Sequence, residues 1–301
     1  MEKRLFHQRH PVVFGLFVLT ALFLFLFGGI TFFIARLIHP QAYETASGKG
    51  IGVLRLQGVI MDADKPIKIL TAFRHNPHIK AIVVRIDSPG GAVGASQEIY
   101  DEIRRTARVK PVIASMQSVA ASGAFYAAMG ATRIVADPGT ITGSIGVIIK
   151  FANLKKLFDK IGYKTEVVKS GINKDIGSMS RNMTPEERQL LQKMINNVLK
   201  QFVGAVARSR HLTVAKVKKI ADGRVFTGEQ ALKLGLLDKL GNFTTAVKIA
   251  ARLGGISTEN PPLIYPEGNK FDLLHYLSDV KSQVLGSMLW NRMPTLMYQI
   301  N

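Results

Sequence analysis

The chain has 301 residues, is 47% hydrophobic, contains no cysteine and carries a formal net charge of +19. The missing thiol excludes cysteine catalysis, disulfides and cysteine-ligated metals, and the length accommodates one large domain or two small ones. The charge raises nucleic acid or an anionic membrane as a partner. However, the basic residues fall singly or in pairs such as Lys155-Lys156 and Lys218-Lys219, without a long basic run or interleaved aromatics, so no nucleic-acid partner is expected.

Val12 to Ala35 runs 24 residues without a charge. A hydrocarbon core needs about 20 apolar residues, whereas the apolar region of a cleaved signal peptide spans about 7–15. Lys3, Arg4 and Arg9 precede the run and only Arg36 follows closely, which keeps a short N-terminus (1–11) cytoplasmic and sends the rest across. The expectation is one N-terminal transmembrane helix at 12–35, retained as an anchor, with cleavage near Ala42 or Ala46 as the alternative. A small, polar linker (36–50) follows.

Gly52–Ile60 reads as a strand and Asp64–Arg74 as a short helix. Ala81–Ile86 is a buried-strand run closed by the turn sequence Asp87-Ser-Pro-Gly-Gly91, and Ala95–Ala107 has helical spacing. Strands are expected at Pro111–Met116, Arg133–Ala136 and Thr165–Lys169, and a helix at Leu154–Ile161. Thr184, Pro185 and Glu187 supply an N-cap, a first-turn proline and a capping-box acid for a long helix reaching about Arg208. Thr213 and Thr227 read as further caps and Gly235 as a stop. Alternating strands and helices define an α/β domain with a largely parallel sheet and flanking helices, at 51–255. The tail, 256–301, contains an amphipathic helix candidate at Phe271–Leu289.

One hydroxyl, Ser122, interrupts the small, apolar run 118–130, between the strand at 111–116 and a short helix that stops at Gly130. The first N–H groups of that helix have no partner inside it, and they suit a nucleophile and its oxyanion. Three turns follow successive strands, at Gly90-Gly91, Ser122-Gly123 and Thr142-Gly-Ser144. Parallel strands bring such turns to one sheet edge, where α/β ligand sites gather. The base is open at this level. Gly-x-Ser-x-Gly is absent, and His78 and His211 are histidine candidates. A lysine would need its reference pKa near 10.4 lowered by about three units through burial.

Five motifs in order resemble the signal peptide peptidase A family: Ile86-Asp-Ser-Pro-Gly-Gly91, Val119-Ala-Ala-Ser-Gly123, Ile141-Thr-Gly-Ser-Ile-Gly-Val147, Lys169-Ser-Gly-Ile-Asn-Lys-Asp175 and Ala221-Asp-Gly-Arg-Val225. The family comprises serine peptidases on the fold shared by the Clp peptidase and the crotonases. The resemblance covers about 50–250 and is to the short form with one such domain.

It implies Ser122 as nucleophile and Lys174 as general base, both in one domain. Ser144 would orient the lysine, and the N–H groups of Gly91 and Gly123 would form the oxyanion hole. No cofactor or metal is implied. The implied setting is the bacterial cytoplasmic membrane, with the catalytic domain on its outer side. The implied partners are the lipid bilayer, remnant signal peptides and other membrane or exported polypeptides as substrates, and further copies in a ring- or dome-like homo-oligomer, of which eight subunits is one size. The competing readings are a crotonase-like acyl-CoA enzyme and a non-enzymatic basic membrane scaffold or nucleic-acid binder.

Overall fold

Three strands form the middle of the domain because their sequences are nearly continuous apolar runs, as a sheet covered on both faces requires. They are β1 (Gly50–Gln57), β2 (Ile79–Ser88) and β4 (Val112–Ala121), paired in parallel in the order β4-β2-β1. A computed structural model describes residues 49–266 and 297–299, with 12, 16, 19–20, 22–25 and 27–29 near the N-terminus. The chain divides into two units, one holding Met1–Ser47 with Asn269–Asp272 and the other Gly48–Gly268 with Leu273–Asn301.

In the first unit the described residues are helical and exposed, and the Phe23 and Phe27 rings stack with centroids 5.8 Å apart. The rest of the expected span at 12–35 lies outside the described residues. Among the described residues no helix is long and apolar enough to cross a membrane. The helix expected at 271–289 also lies outside them.

In the second unit the helices are α1 (Asp64–His75), α2 (Val93–Ala107), α3 (Gly123–Ala128), α4 (Lys155–Lys160), α5 (Pro185–Arg210), α6 (Val214–Lys218), α7 (Gly228–Lys233) and α8 (Phe243–Leu253). The remaining strands are β3 (Gly90–Ala92), β5 (Arg133–Ala136), β6 (Ile141–Gly143), β7 (Val225–Thr227), β8 (Lys239–Leu240), β9 (Leu263–Ile264) and β10 (Met297–Gln299). The main sheet runs β7-β6-β4-β2-β1-β9. Strand β4 is shared along its length: Ile113–Met116 pair with β5, and Val119–Ala121 pair with β6. Within this sheet the pairings are parallel except that of β6 with β7. Alternation along the strands separates two cores. Leu54, Ile82, Val84 and Ala114 face the larger helical layer with Leu70, Ile103 and Phe202, whereas Val83, Ile113 and Val135 face Ala246 and Ala250 of α8.

Helix α5 begins as its sequence requires. Thr184 Oγ1 accepts from the Glu187 N–H at 3.2 Å, and Glu187 Oε2 accepts from the Thr184 N–H at 2.9 Å. The same carboxylate is bound by Arg181, whose Nη2 donates to Glu187 Oε1 at 2.5 Å and whose Nε donates to Asp175 Oδ2 at 2.9 Å. Between α1 and α2, Glu102 is buried and accepts from Arg74 and from Thr71 Oγ1.

The structure corrects three readings. The strand expected at Thr165–Lys169 does not form. Those residues are exposed and irregular, because no neighbouring strand supplies a ladder to reward their β propensity. The turn at 87–91 is shorter than expected, since β2 continues to Ser88 and β3 starts at Gly90. The sheet also continues past residue 255, through β9 on β1.

Candidate active site

Strand β4 ends at Ala121, and the next residue turns the chain into α3 with an unusual backbone. Ser122 has φ 55° and ψ −119° and is 1% exposed. A non-glycine residue held at positive φ stores about 1–3 kcal/mol, and such strain gathers at functional sites. Two backbone bonds hold it there: the Ser122 N–H donates to Gly143 O at 2.8 Å, and the Tyr126 N–H donates to Ser122 O at 2.8 Å. The Ser122 hydroxyl does not cap the helix it precedes. The strand-to-helix turn resembles the sharp elbow that presents nucleophilic serines elsewhere. The Gly123 N–H opens the first turn of α3 and so has no partner within it.

The neighbouring strand ends complete one edge. Ala121 pairs with Gly143, so Ser144 lies beside Ser122. Ser144 is buried, has φ 50°, and donates its N–H to Arg224 O at 2.9 Å. On the other side Ser88 pairs with Ala120, which brings β3 alongside Ser122, and α3 packs on β3. Two side chains stiffen this corner. Asp87 Oδ1 accepts from the Val119 N–H at 3.1 Å, and Ser88 Oγ accepts from the Gly90 N–H at 3.2 Å.

Gly91 is required sterically. A Cβ there would lie 1.9 Å from Ile60 O. The Ile60 N–H donates to Gly90 O at 2.9 Å and the Ala92 N–H to Ile60 O at 2.7 Å, so one edge of β3 is occupied. Alternation turns the Gly91 N–H and C=O to the other edge. There β10 adds an antiparallel strand, with Tyr298 opposite Gly91 and Gln299 opposite Gly90.

Lys174 is exposed, lies in an irregular turn where its N–H donates to Gly171 O at 3.1 Å, and forms no ion pair or side-chain hydrogen bond among the described residues. Its turn is anchored by its neighbours, because Lys169 Nζ donates to Asp175 Oδ1 at 2.5 Å and Arg181 ties Asp175 to Glu187. Hydrogen bonds from Arg181 and then Lys169 hold the Asp175 carboxyl well below the usual range. Arg181, with the Thr184 N–H, holds Glu187 at about 2. The Arg181–Asp175–Glu187 tie is a feature that sequence reading missed. Only the spacing of Arg181 from the capping box at 184–187 hinted at it.

The histidine alternatives are removed by topology. His78 precedes β2, and its carbonyl accepts from the Gly50 N–H at the start of β1. Ser122 lies at the far ends of these strands, about 30 Å away at 3.3 Å per residue. His211 sits near Arg133, which pairs with Ile113 early in β4 and is equally remote. Among the described residues no group of three or more His, Cys, Asp or Glu could hold a metal.

The sequence model for peptidase family S49 matches residues 104–257, and that for Clp protease matches 56–138. The chain belongs to peptidase family S49. Among the similar proteins, a putative protease of Synechocystis sp. is 44% identical over 223 residues, covering 73% of this chain and 80% of that protein. A putative protease of Methanocaldococcus jannaschii is 35% identical over 269 residues, covering 88% and 85%. The chloroplastic serine protease SPPA of Arabidopsis thaliana is 38% identical over 237 residues, covering 78% of this chain and 35% of its own length. The S49 assignment makes the chain a serine peptidase on a Clp-like α/β sheet.

Proposed function

We propose that the protein is a membrane-anchored endopeptidase that uses Ser122 and Lys174 as a dyad on remnant signal peptides and other membrane or exported polypeptides. The observation that carries this reading is Ser122 itself: buried, strained at positive φ, and flanked by the Gly91 strand and the first turn of α3. An extended substrate would join β3 as an added strand, in the way β10 does, which puts its scissile carbonyl near Ser122. Ser122 Oγ attacks that carbonyl and passes its proton to Lys174 Nζ. The oxyanion accepts from the Gly91 and Gly123 N–H groups. Collapse of the intermediate returns the proton to the leaving amine, and water then hydrolyses the acyl-enzyme.

A lysine serves as base at neutral pH only when desolvated. In the single chain Lys174 is exposed, and so is most of 161–174 with it. The reading therefore includes a homo-oligomer in which a second copy covers this segment and completes the site, with Ser144 orienting Nζ. The uncharged run at 12–35 supports an anchor with the peptidase domain on the outer face of the cytoplasmic membrane.

A serine-reactive fluorophosphonate tests the assignment on the full chain in detergent. It is expected to label the wild type on Ser122, to leave Ser122→Ala unlabelled and to label Lys174→Ala far more slowly. Labelling of Ser122→Ala at the wild-type rate overturns the nucleophile, and undiminished labelling of Lys174→Ala overturns the base.

A further inference from the structure

At the edge of the sheet opposite Ser122, a cavity of about 320 Å³ opens where the C-terminal ends of α2 and α5 meet the start of β5. Its lining includes Arg104 from α2, Arg208 and Arg210 from α5, Arg133 from β5, and His211 and Asp238. These residues lie up to 134 positions apart in the chain, and only the fold gathers them. Arg210 is fixed as a wall. Its Nη1 donates to Asp238 Oδ2 at 2.8 Å, its Nε donates to Gly235 O at 3.0 Å, and its side chain is 11% exposed. Arg133 reaches the same carboxylate at 4.0 Å. Arg104 and Arg208 are paired with no carboxylate among the described residues.

Four guanidiniums and one carboxylate, Asp238, thus line the cavity, and only Arg210 and Arg133 reach that carboxylate. Basic residues in the last turn of a helix complement its dipole, but each helix end offsets only about half a charge. The two helix ends therefore leave about two positive charges uncompensated around a concave space. Like charges repel, and the arrangement is relieved by a doubly charged or multidentate anion to which planar guanidiniums donate in pairs. The volume is roughly ten times a water's share of about 30 Å³, so it takes more than a bare ion.

We propose that this cavity binds a phosphate group, free or carried on a phospholipid headgroup. Arg210 and Arg133 form the fixed side of the site, and Arg104 and Arg208 close on the phosphate oxygens. The site is separate from Ser122 and does not depend on the peptidase reading.

The test is calorimetric titration of the detergent-solubilised full chain with inorganic phosphate and, separately, with glycerophosphoglycerol, the headgroup diester of phosphatidylglycerol. Arg104 and Arg208 are exposed and hold no carboxylate, so Arg104→Gln and the double variant Arg104→Gln/Arg208→Gln are expected to fold. A thermal melt checks that. Wild-type protein should bind at least one probe, more weakly as sodium chloride rises. The single variant should lose several-fold, and the double variant at least about tenfold, or about 1.4 kcal/mol. Tighter binding of the diester assigns the site to a lipid headgroup, and tighter binding of inorganic phosphate to the free anion. No binding of either probe by the wild type, or unchanged binding by both folded variants, overturns the proposal.

Discussion

Ser122 and Ser144 stand side by side at the ends of the paired strands β4 and β6, and both hold positive φ, 55° and 50°. The link between them is a backbone bond, since the Ser122 N–H donates to the carbonyl of Gly143 at 2.8 Å. Ordinary strands would carry both hydroxyls onward in extended backbone. A positive φ at each residue instead ends both strands together and leaves the two serines side by side at one corner of the sheet.

Strain at Ser122 has a stability consequence. Ser122→Gly removes the steric cost of positive φ and should raise stability by about 1 kcal/mol while abolishing hydrolysis. Ser122→Ala keeps the strain, so it should melt near the wild type with kcat lowered at least about a thousandfold. Thermal melts and peptide hydrolysis measured side by side check both halves. A glycine variant less stable than the alanine variant would show that the backbone there is not strained.

The proposed lysine base would impose a pH signature. The base acts only after losing its proton, so kcat/KM should climb with alkaline pH, and Lys174→Ala should lose about 10²–10⁴-fold. Lys174→Arg should not rescue, since a guanidinium stays protonated in proteins. A flat profile from about pH 6 to 10 would count against a lysine base.

Gly91→Ala separates close approach from simple turn formation. Its Cβ would fall 1.9 Å from Ile60 O, so the edge of β3 must move. Loss of one aligned oxyanion donor costs about 10²–10³ in kcat. The variant should show at least that loss together with a lower melting temperature. Near wild-type turnover would remove Gly91 from the oxyanion hole.

The tail strand occupies the edge of β3 to which the proposed substrate strand would add. Met297–Gln299 pair with Gly90–Ala92, on the side to which the Gly91 N–H turns. Deleting residues 297–301 should therefore lower KM for a peptide substrate severalfold, and a synthetic Met-Tyr-Gln-Ile-Asn peptide should inhibit the truncated enzyme competitively. Unchanged KM after truncation would mean that substrate uses another edge.

The turn bearing Lys174 should loosen in acid. Arg181 and Lys169 hold Asp175 below the usual carboxylate range, and Arg181 with the Thr184 N–H holds Glu187 at about 2. For carboxyls depressed in the folded state, the stabilisation is complete above their unfolded values near 4 and is lost as pH falls towards 2. Proteolytic nicking within 162–181 should accordingly increase below about pH 4 in the wild type. In Arg181→Ala it should already be high at pH 7. Equal nicking of both proteins at neutral pH would sink the idea.

Much of the fold was legible because its signals are local. The capping box Thr184/Glu187, the N-caps Thr213 and Thr227, and the apolar runs of β2 and β5 act over a few residues, and each forms where its residues indicate. The position of Ser122 was legible for the same reason: a lone hydroxyl between an apolar strand and a short helix must fall on the connection. Strand pairing and burial, by contrast, join residues far apart. Thr165–Lys169 has β propensity but no partner strand, so it stays irregular. His78 and His211 could be ruled out as bases only once the parallel sheet put them at the edge away from Ser122. The exposure of Lys174, the occupation of the Gly91 edge by β10 and the convergence of four arginines on one cavity were likewise decided by tertiary structure, because each depends on which distant segments the fold brings together.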